Sequence, residues 1–181
     1  MGRKEITAGL SELLERRLER EGAKYAWEVE IEEPITRNLL RVDYMAYTYP
    51  VMRVGALHFA DQGTVTVYEV KSCMADYKSG NGLGFYGDRN VLVCPSSLAE
   101  QLRGDVPANV EVWCPLPKGR SAVAEMREQT PYGGETDGWA MRKYFPAADP
   151  YYCPLRIPTV YALAQMVYAM CAHKSARRRG C

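Results

Sequence analysis

An aspartate, a glutamate and a lysine set in two short apolar runs are the residues of this chain best equipped for chemistry. Asp43 lies within Arg41-Val42-Asp43-Tyr44-Met45-Ala46-Tyr47, and Glu69 and Lys71 within Val65-Thr66-Val67-Tyr68-Glu69-Val70-Lys71-Ser72. Both runs are rich in β-branched and aromatic residues, which marks them as strands entering a core. Alternation in the second puts Val65, Val67, Glu69 and Lys71 on one face and Thr66, Tyr68, Val70 and Ser72 on the other. A carboxylate and an ammonium thus stand side by side at the end of an apolar strand, where charges are costly to bury unless they pair or hold a metal. If Asp43 and Glu69 converge, their carboxylates suit a hard divalent cation, Mg²⁺ or Mn²⁺. A competing reading makes Glu69–Lys71 a surface ion pair and gives Asp43 a structural partner in Arg41, which shares its face.

An acidic residue on one strand followed by Glu-x-Lys on the next, here Asp43 and Glu69-Val70-Lys71, resembles the signature of the PD-(D/E)XK nuclease superfamily. An acid-bearing helix precedes the strands. Ser72-Cys73-Met74-Ala75-Asp76-Tyr77-Lys78, a Gly/Tyr-rich segment and a further apolar strand follow. That order is similar to small phage-encoded and DNA-repair (MmcB-like) members and covers about the first two-thirds of the chain. The resemblance implies an α/β, restriction-endonuclease-like core: a helix, a mixed central sheet and flanking helices. It also implies metal-dependent hydrolysis of DNA phosphodiester bonds in a phage, mobile-element or repair setting. The cation would sit on Asp43, Glu69 and the backbone carbonyl of Val70, polarising the phosphate and acidifying a bound water. Lys71 would stabilise the transition-state charge, and Glu5, in a matching Glu5-Ile6 context, would face the metal. A first-turn helix-dipole role for Glu5 weighs equally. Ser72, Asp76, Tyr77 and Lys78 are candidates to position nucleic acid, Tyr86 to stack on a base, and the basic tail with Arg177, Arg178 and Arg179 to contact phosphates. Structural roles compete for each of them.

These side chains need elements to hold them. Ile6, Leu10, Leu13, Leu14 and Leu18 recur at helical spacing and predict a helix over Glu5 to Glu21, with Gly22 as its stop. Tyr25 to Glu32 and Leu39 to Tyr47 read as the first two strands, Glu28, Glu30 and Glu32 sharing a solvent face. Val54 to Phe59 reads as an edge extension in a poorly patterned segment, and His58 carries no assigned role. Four glycines between Met74 and Asp88 predict only a short, interrupted helix from Ala75. Asn90 to Pro95 is a buried strand, Leu98 to Arg103 a helix capped by Ser96 or Ser97, and Val110 to Cys114 a strand stopped by Pro115 and Pro117. This progression builds a mixed sheet with parallel pairs. From Pro115 to Pro154 only Ala122 to Gln129 suggests a helix. Ile157 to Lys174 is an apolar helix offering Val160, Leu163, Ala164, Val167, Tyr168 and Cys171 for packing.

With 181 residues the chain forms one domain: a nuclease-like core over 1–115, and an irregular C-terminal extension over 116–181 that ends in the helix 157–174 and the basic tail. A net charge of +1 supplies no global field for nucleic acid, so any DNA-binding face must come from local clustering. No apolar run reaches membrane-spanning length and the start lacks a secretory pattern, which predicts a cytoplasmic protein with no membrane partner. Six cysteines without a Cys-x-x-Cys pair read as reduced thiols and not as a zinc site. DNA is the expected partner; a homodimer and a protein partner from a phage or repair context stay open. Two further readings compete with the nuclease: a non-catalytic nuclease-fold protein that binds nucleic acid or inhibits a partner, and an ordinary α/β domain.

Overall fold

The computed structural model describes residues 2–49, 63–80, 83–149 and 156–179, with side chains of the last segment described to Lys174. Val54 to Phe59 and His58 lie outside the described residues. The elements are α1 (Arg3–Arg20), β1 (Lys24–Glu32), β2 (Leu39–Thr48), β3 (Thr64–Val70), α2 (Met74–Lys78), β4 (Arg89–Val93), α3 (Ser96–Gln101), β5 (Val110–Pro117), α4 (Ala122–Glu128), β6 (Trp139–Phe145) and α5 (Thr159–Arg179). One six-stranded sheet runs β1-β2-β3-β4-β5-β6. β1, β2 and β3 form an antiparallel meander, β3, β4 and β5 are parallel, and β6 returns antiparallel to β5. The expected mixed α/β architecture is thus present.

α1 covers one face of the sheet. Its stripe of Leu10, Leu13, Leu14 and Leu18 packs on Tyr44, Tyr68, Val70, Val91, Val93, Trp113 and Met141. On the opposite face α5 lies over β1–β3, with Ala162, Met166 and Ala169 against Val29, Ile31, Val42, Met45, Val65 and Val67. Beside it Leu98, Ala99 and Leu102 of the α3 region cover Leu92, Val112, Cys114 and Leu116. Cys73, Cys94 and Cys114 are free thiols.

Three expectations are corrected. Pro115 and Pro117 do not stop β5, which continues through both and pairs them with Met141 and Trp139. Beyond Trp113 the strand has lost its β4 neighbour, so a residue without an N–H leaves no ladder bond unmade on that side. The segment read as irregular contains β6, hidden from the alternation rule by a register irregularity opposite Val112/Trp113 that turns the successive residues Tyr144 and Phe145 to the same core. The sheet therefore crosses residue 115. Finally, α5 packs through Ala162, Met166 and Ala169, while Val160, Val167, Tyr168 and Cys171 are exposed. Both stripes obey helical spacing, and the small alanines allow the closer approach to the sheet.

Candidate active site

Asp43 owes its position to a fault in two strands. Tyr25 and Trp27 pack on the α1 side, yet Ala26, Val29 and Ile31 all face α5. In β2, Tyr44 and Ala46 face α1 while Val42, Met45 and Tyr47 face α5. Alternation therefore slips between Trp27 and Val29 and between Val42 and Tyr44. At the slip Glu28 has φ 49°, in the left-handed region that non-glycine residues seldom occupy. Such faults re-aim side chains. Arg41, expected beside Asp43, instead forms an ion pair with Glu28 at 3.7 Å.

The freed Asp43 carboxylate turns to β3. Its Oδ2 accepts the Val70 N–H at 2.7 Å. Extending the β2–β3 register one step past Tyr44–Tyr68 sets Asp43 opposite Glu69. Glu69 pairs with Leu92 along β4 and, like Val65 and Val67, belongs to the face away from α1. It is fully buried, and neither carboxylate oxygen has a hydrogen-bond partner of normal geometry. The Asp43 carboxyl and the Gly84 amide approach closely enough to affect its titration without closing such a bond. Desolvation first, and then the Asp43 carboxylate, push the Glu69 carboxyl up to about 9, with Lys71 opposing. At neutral pH Glu69 therefore keeps its proton.

Above Asp43 opens a cavity of about 550 Å³. Trp27, Glu28, Asp43, Tyr44, Val70 and Lys71 line it from the sheet, Arg3, Thr7 and Ser11 from α1, and Asp76 from α2. Lys71 is itself buried. Arg3 ion-pairs with Asp76, and both the Ser72 N–H and its hydroxyl donate to Asp76 Oδ2. Asp43 joins the two levels: it lines the cavity and interacts with Glu69, which does not reach the cavity wall. Among the described residues no group of three or more His, Cys, Asp or Glu side chains is placed to hold a metal. The donor set that is present, the Asp43 carboxylate and a Glu69 carboxyl with two orphaned buried oxygens beside a strand backbone, has the hard-oxygen chemistry of a Mg²⁺ site, an ion that keeps several waters and needs only one or two carboxylates.

Several other predicted site residues are placed elsewhere. Glu5 is exposed and its carboxylate accepts the Gly2 N–H at 2.9 Å, closing the start of α1 and not the cavity. Glu5→Ala is therefore expected to lower the melting temperature by roughly 1–4 °C, from loss of a first-turn acid; an unchanged melting curve would remove that role. Tyr77 packs on the α3 side and reaches the Asp105 carbonyl. Tyr86 packs on the α5 side and donates to Glu33 at 2.5 Å, while its carbonyl accepts the Ile157 N–H. Neither lines the cavity. Lys78 is exposed at the end of α2. α5 continues through Arg177, Arg178 and Arg179, whose side chains lie outside the described residues.

Sequence reasoning missed Arg3, Thr7 and Ser11, which follow one another at i, i+4 and i+8 along α1 and were readable as a polar stripe. It also missed Trp27 and Glu28, for which no local signal existed. On the other flank of α1, Arg16, Arg17, Arg20 and Lys118 surround a smaller cavity of about 150 Å³ beside Trp139. There the Arg17 guanidinium lies 3.6 Å over the Trp113 ring. Arg16 and Arg17 are paired there with Glu12 and Glu21.

A solved structure shares this fold. It is a protein of unknown function from Silicibacter pomeroyi, 16% identical, with a TM-score of 0.50 over 94% of this chain and 86% of that one. At that identity the likeness speaks for architecture alone. No protein-family model matches the chain, and no curated protein matches it.

Proposed function

We propose that this chain is a metal-dependent deoxyribonuclease of PD-(D/E)XK type with a restriction-endonuclease-like core, using Mg²⁺ or Mn²⁺. The observation that carries the reading is Glu69. A fully buried carboxyl whose two oxygens lack partners, set across from a second carboxylate and beside a buried lysine, is costly to keep. A divalent cation between Asp43 and Glu69 would relieve that cost. When bound there it supplies Lewis-acid polarisation of the phosphate and a more acidic water.

The chain's own residues do the rest. The Val70 N–H fixes the Asp43 carboxylate, Glu69 gives up its proton on loading, and Lys71 offers an ammonium to the non-bridging phosphate oxygens as charge builds up. Arg3, which shares the cavity with Lys71, is suited to orient the neighbouring phosphate through its planar guanidinium. Plasmid incubated with the protein should be nicked or linearised with Mg²⁺ or Mn²⁺ and left intact in EDTA. No cleavage under any of these conditions would remove the enzyme reading.

A specific observation favours a second reading. Glu69 does not line the cavity, and the described residues gather no third carboxylate with Asp43 and Glu69. A non-catalytic member of the fold that binds nucleic acid or inhibits a partner protein would have that property. It would bind DNA in EDTA as well as in Mg²⁺ and cleave in neither.

A further inference from the structure

We propose that Trp27 and Tyr25 of β1, with Met170, His173 and Lys174 of α5, form a slot that takes an unpaired base of single-stranded DNA next to the candidate active site. The choice of DNA rests on the nuclease reading; the slot rests on geometry. Trp27 lines the 550 Å³ cavity that holds Asp43 and Lys71, and it also lines a second cavity of about 290 Å³ with Tyr25, Met170, His173 and Lys174. One indole thus separates the reacting centre from an aromatic recess. Its orientation is fixed from α5: the His173 ring stacks on it at 4.8 Å and 23°, and His173 Nε2 donates to the Trp27 carbonyl at 3.1 Å.

The chemistry of the recess points to a nucleotide. Two aromatic rings and an imidazole provide flat apolar surface, and Met170 remains half exposed where a core methionine would be covered. The Lys174 ammonium belongs to the lining, and α5 carries no Asp or Glu from Thr159 to Arg179 while its last residues include Arg177, Arg178 and Arg179. Aromatic surface with a cation in its lining is the pattern that tracks single strands, because every base has a face to stack and every link a phosphate to neutralise. The acid at its edge, Glu19, is taken up as the acceptor of the Tyr25 hydroxyl. A base inside a duplex has both faces covered by its neighbours, so such a recess serves an unpaired strand.

The test is fluorescence anisotropy of the whole chain in EDTA, with a labelled oligothymidylate of about a dozen nucleotides and a blunt duplex of the same length. Wild type should prefer the oligothymidylate. Trp27→Ala should weaken that binding roughly 5- to 150-fold and change duplex binding less than twofold, whereas Trp27→Phe should retain most of it. If Trp27→Ala fails to fold, two substitutions at exposed side chains take its place. Met170→Glu should lose single-strand affinity at least tenfold, and Lys174→Ala should lower its salt slope by about 0.7. Unchanged oligothymidylate binding in these variants, or equal losses on both probes, overturns the slot. The two readings fail separately. Cleavage of duplex with no preference for single strands ends the slot and leaves the nuclease, while Trp27-dependent single-strand binding without cleavage in Mg²⁺ or Mn²⁺ ends the nuclease and leaves the slot.

Discussion

Lys71→Ala, Asp43→Asn and Glu69→Gln are each expected to lower the rate of Mg²⁺-dependent plasmid cleavage at least about 100-fold, the range for loss of one preorganised electrostatic group at a reacting phosphate or carbonyl. Double variants should fall little below the worse single one, because the three groups act as a unit. The structural basis is their electrostatic coupling: Asp43 held by the Val70 N–H, Glu69 across from it, and Lys71 opposing the rise of the Glu69 carboxyl. Circular dichroism on the same preparations separates lost chemistry from lost fold. A Lys71→Ala protein that digests plasmid at the wild-type rate would strip the lysine of its role and leave the two carboxylates without a nuclease mechanism.

The second large effect is on stability and its pH dependence. The Glu69 carboxyl is raised in the folded protein to about 9 against an ordinary value of 4.5. Between those values the folded chain keeps a proton that the unfolded chain has released. Folding stability of the metal-free protein must then fall as pH rises through that window, by up to about 1.4 kcal/mol per pH unit from this group. Below 4.5 both states hold the proton and the slope vanishes. For a chain of this size the melting temperature should drop by roughly 3–6 °C per pH unit. Glu69→Gln removes the titration and should flatten the profile, melting above wild type at pH 8 while cleaving nothing. Asp43→Asn should also raise the metal-free melting temperature at the alkaline end of that window, where Glu69 begins to ionise, by relieving the like charge. Cation binding must expel the Glu69 proton, so Mg²⁺ affinity should rise up to about tenfold per pH unit over the same window. At ten times its dissociation constant the ion adds about 1.4 kcal/mol to the wild type. Calorimetric melts between pH 6 and 9, with and without Mg²⁺, measure all of this. A wild-type melting curve indifferent to Mg²⁺ and Mn²⁺, together with an Asp43→Asn protein that melts lower, would make Asp43 a structural residue and sink the enzyme reading.

Much of this protein was legible in its sequence because the relevant patterns are local. The leucine stripe of α1, the three strands of the meander and the placement of Asp43, Glu69 and Lys71 at neighbouring strand positions all follow from periods of 3.6 and 2, which side-chain geometry enforces on any chain. What only the tertiary structure decided lies where those periods are broken or ambiguous. The left-handed backbone at Glu28 shifts the facing of β1 and β2 together, and that shift, not alternation, puts Asp43 in the cavity wall and sends Arg41 to Glu28. Alternation does hold in β3, and it carries Glu69 to the face away from α1, while Lys71, just past the strand end, lines the cavity on the α1 side. The register irregularity beside β5 hid β6 in the same way. In α5 two stripes have equal periodicity, and only the shape of the sheet chooses Ala162, Met166 and Ala169 over Val160, Val167 and Cys171. Arg3, Ser11, Trp27 and Asp76 meet in one cavity although they are far apart in the chain, since convergence is a property of packing. Periodicity reports which face of an element is apolar; it carries no information about what that face will meet.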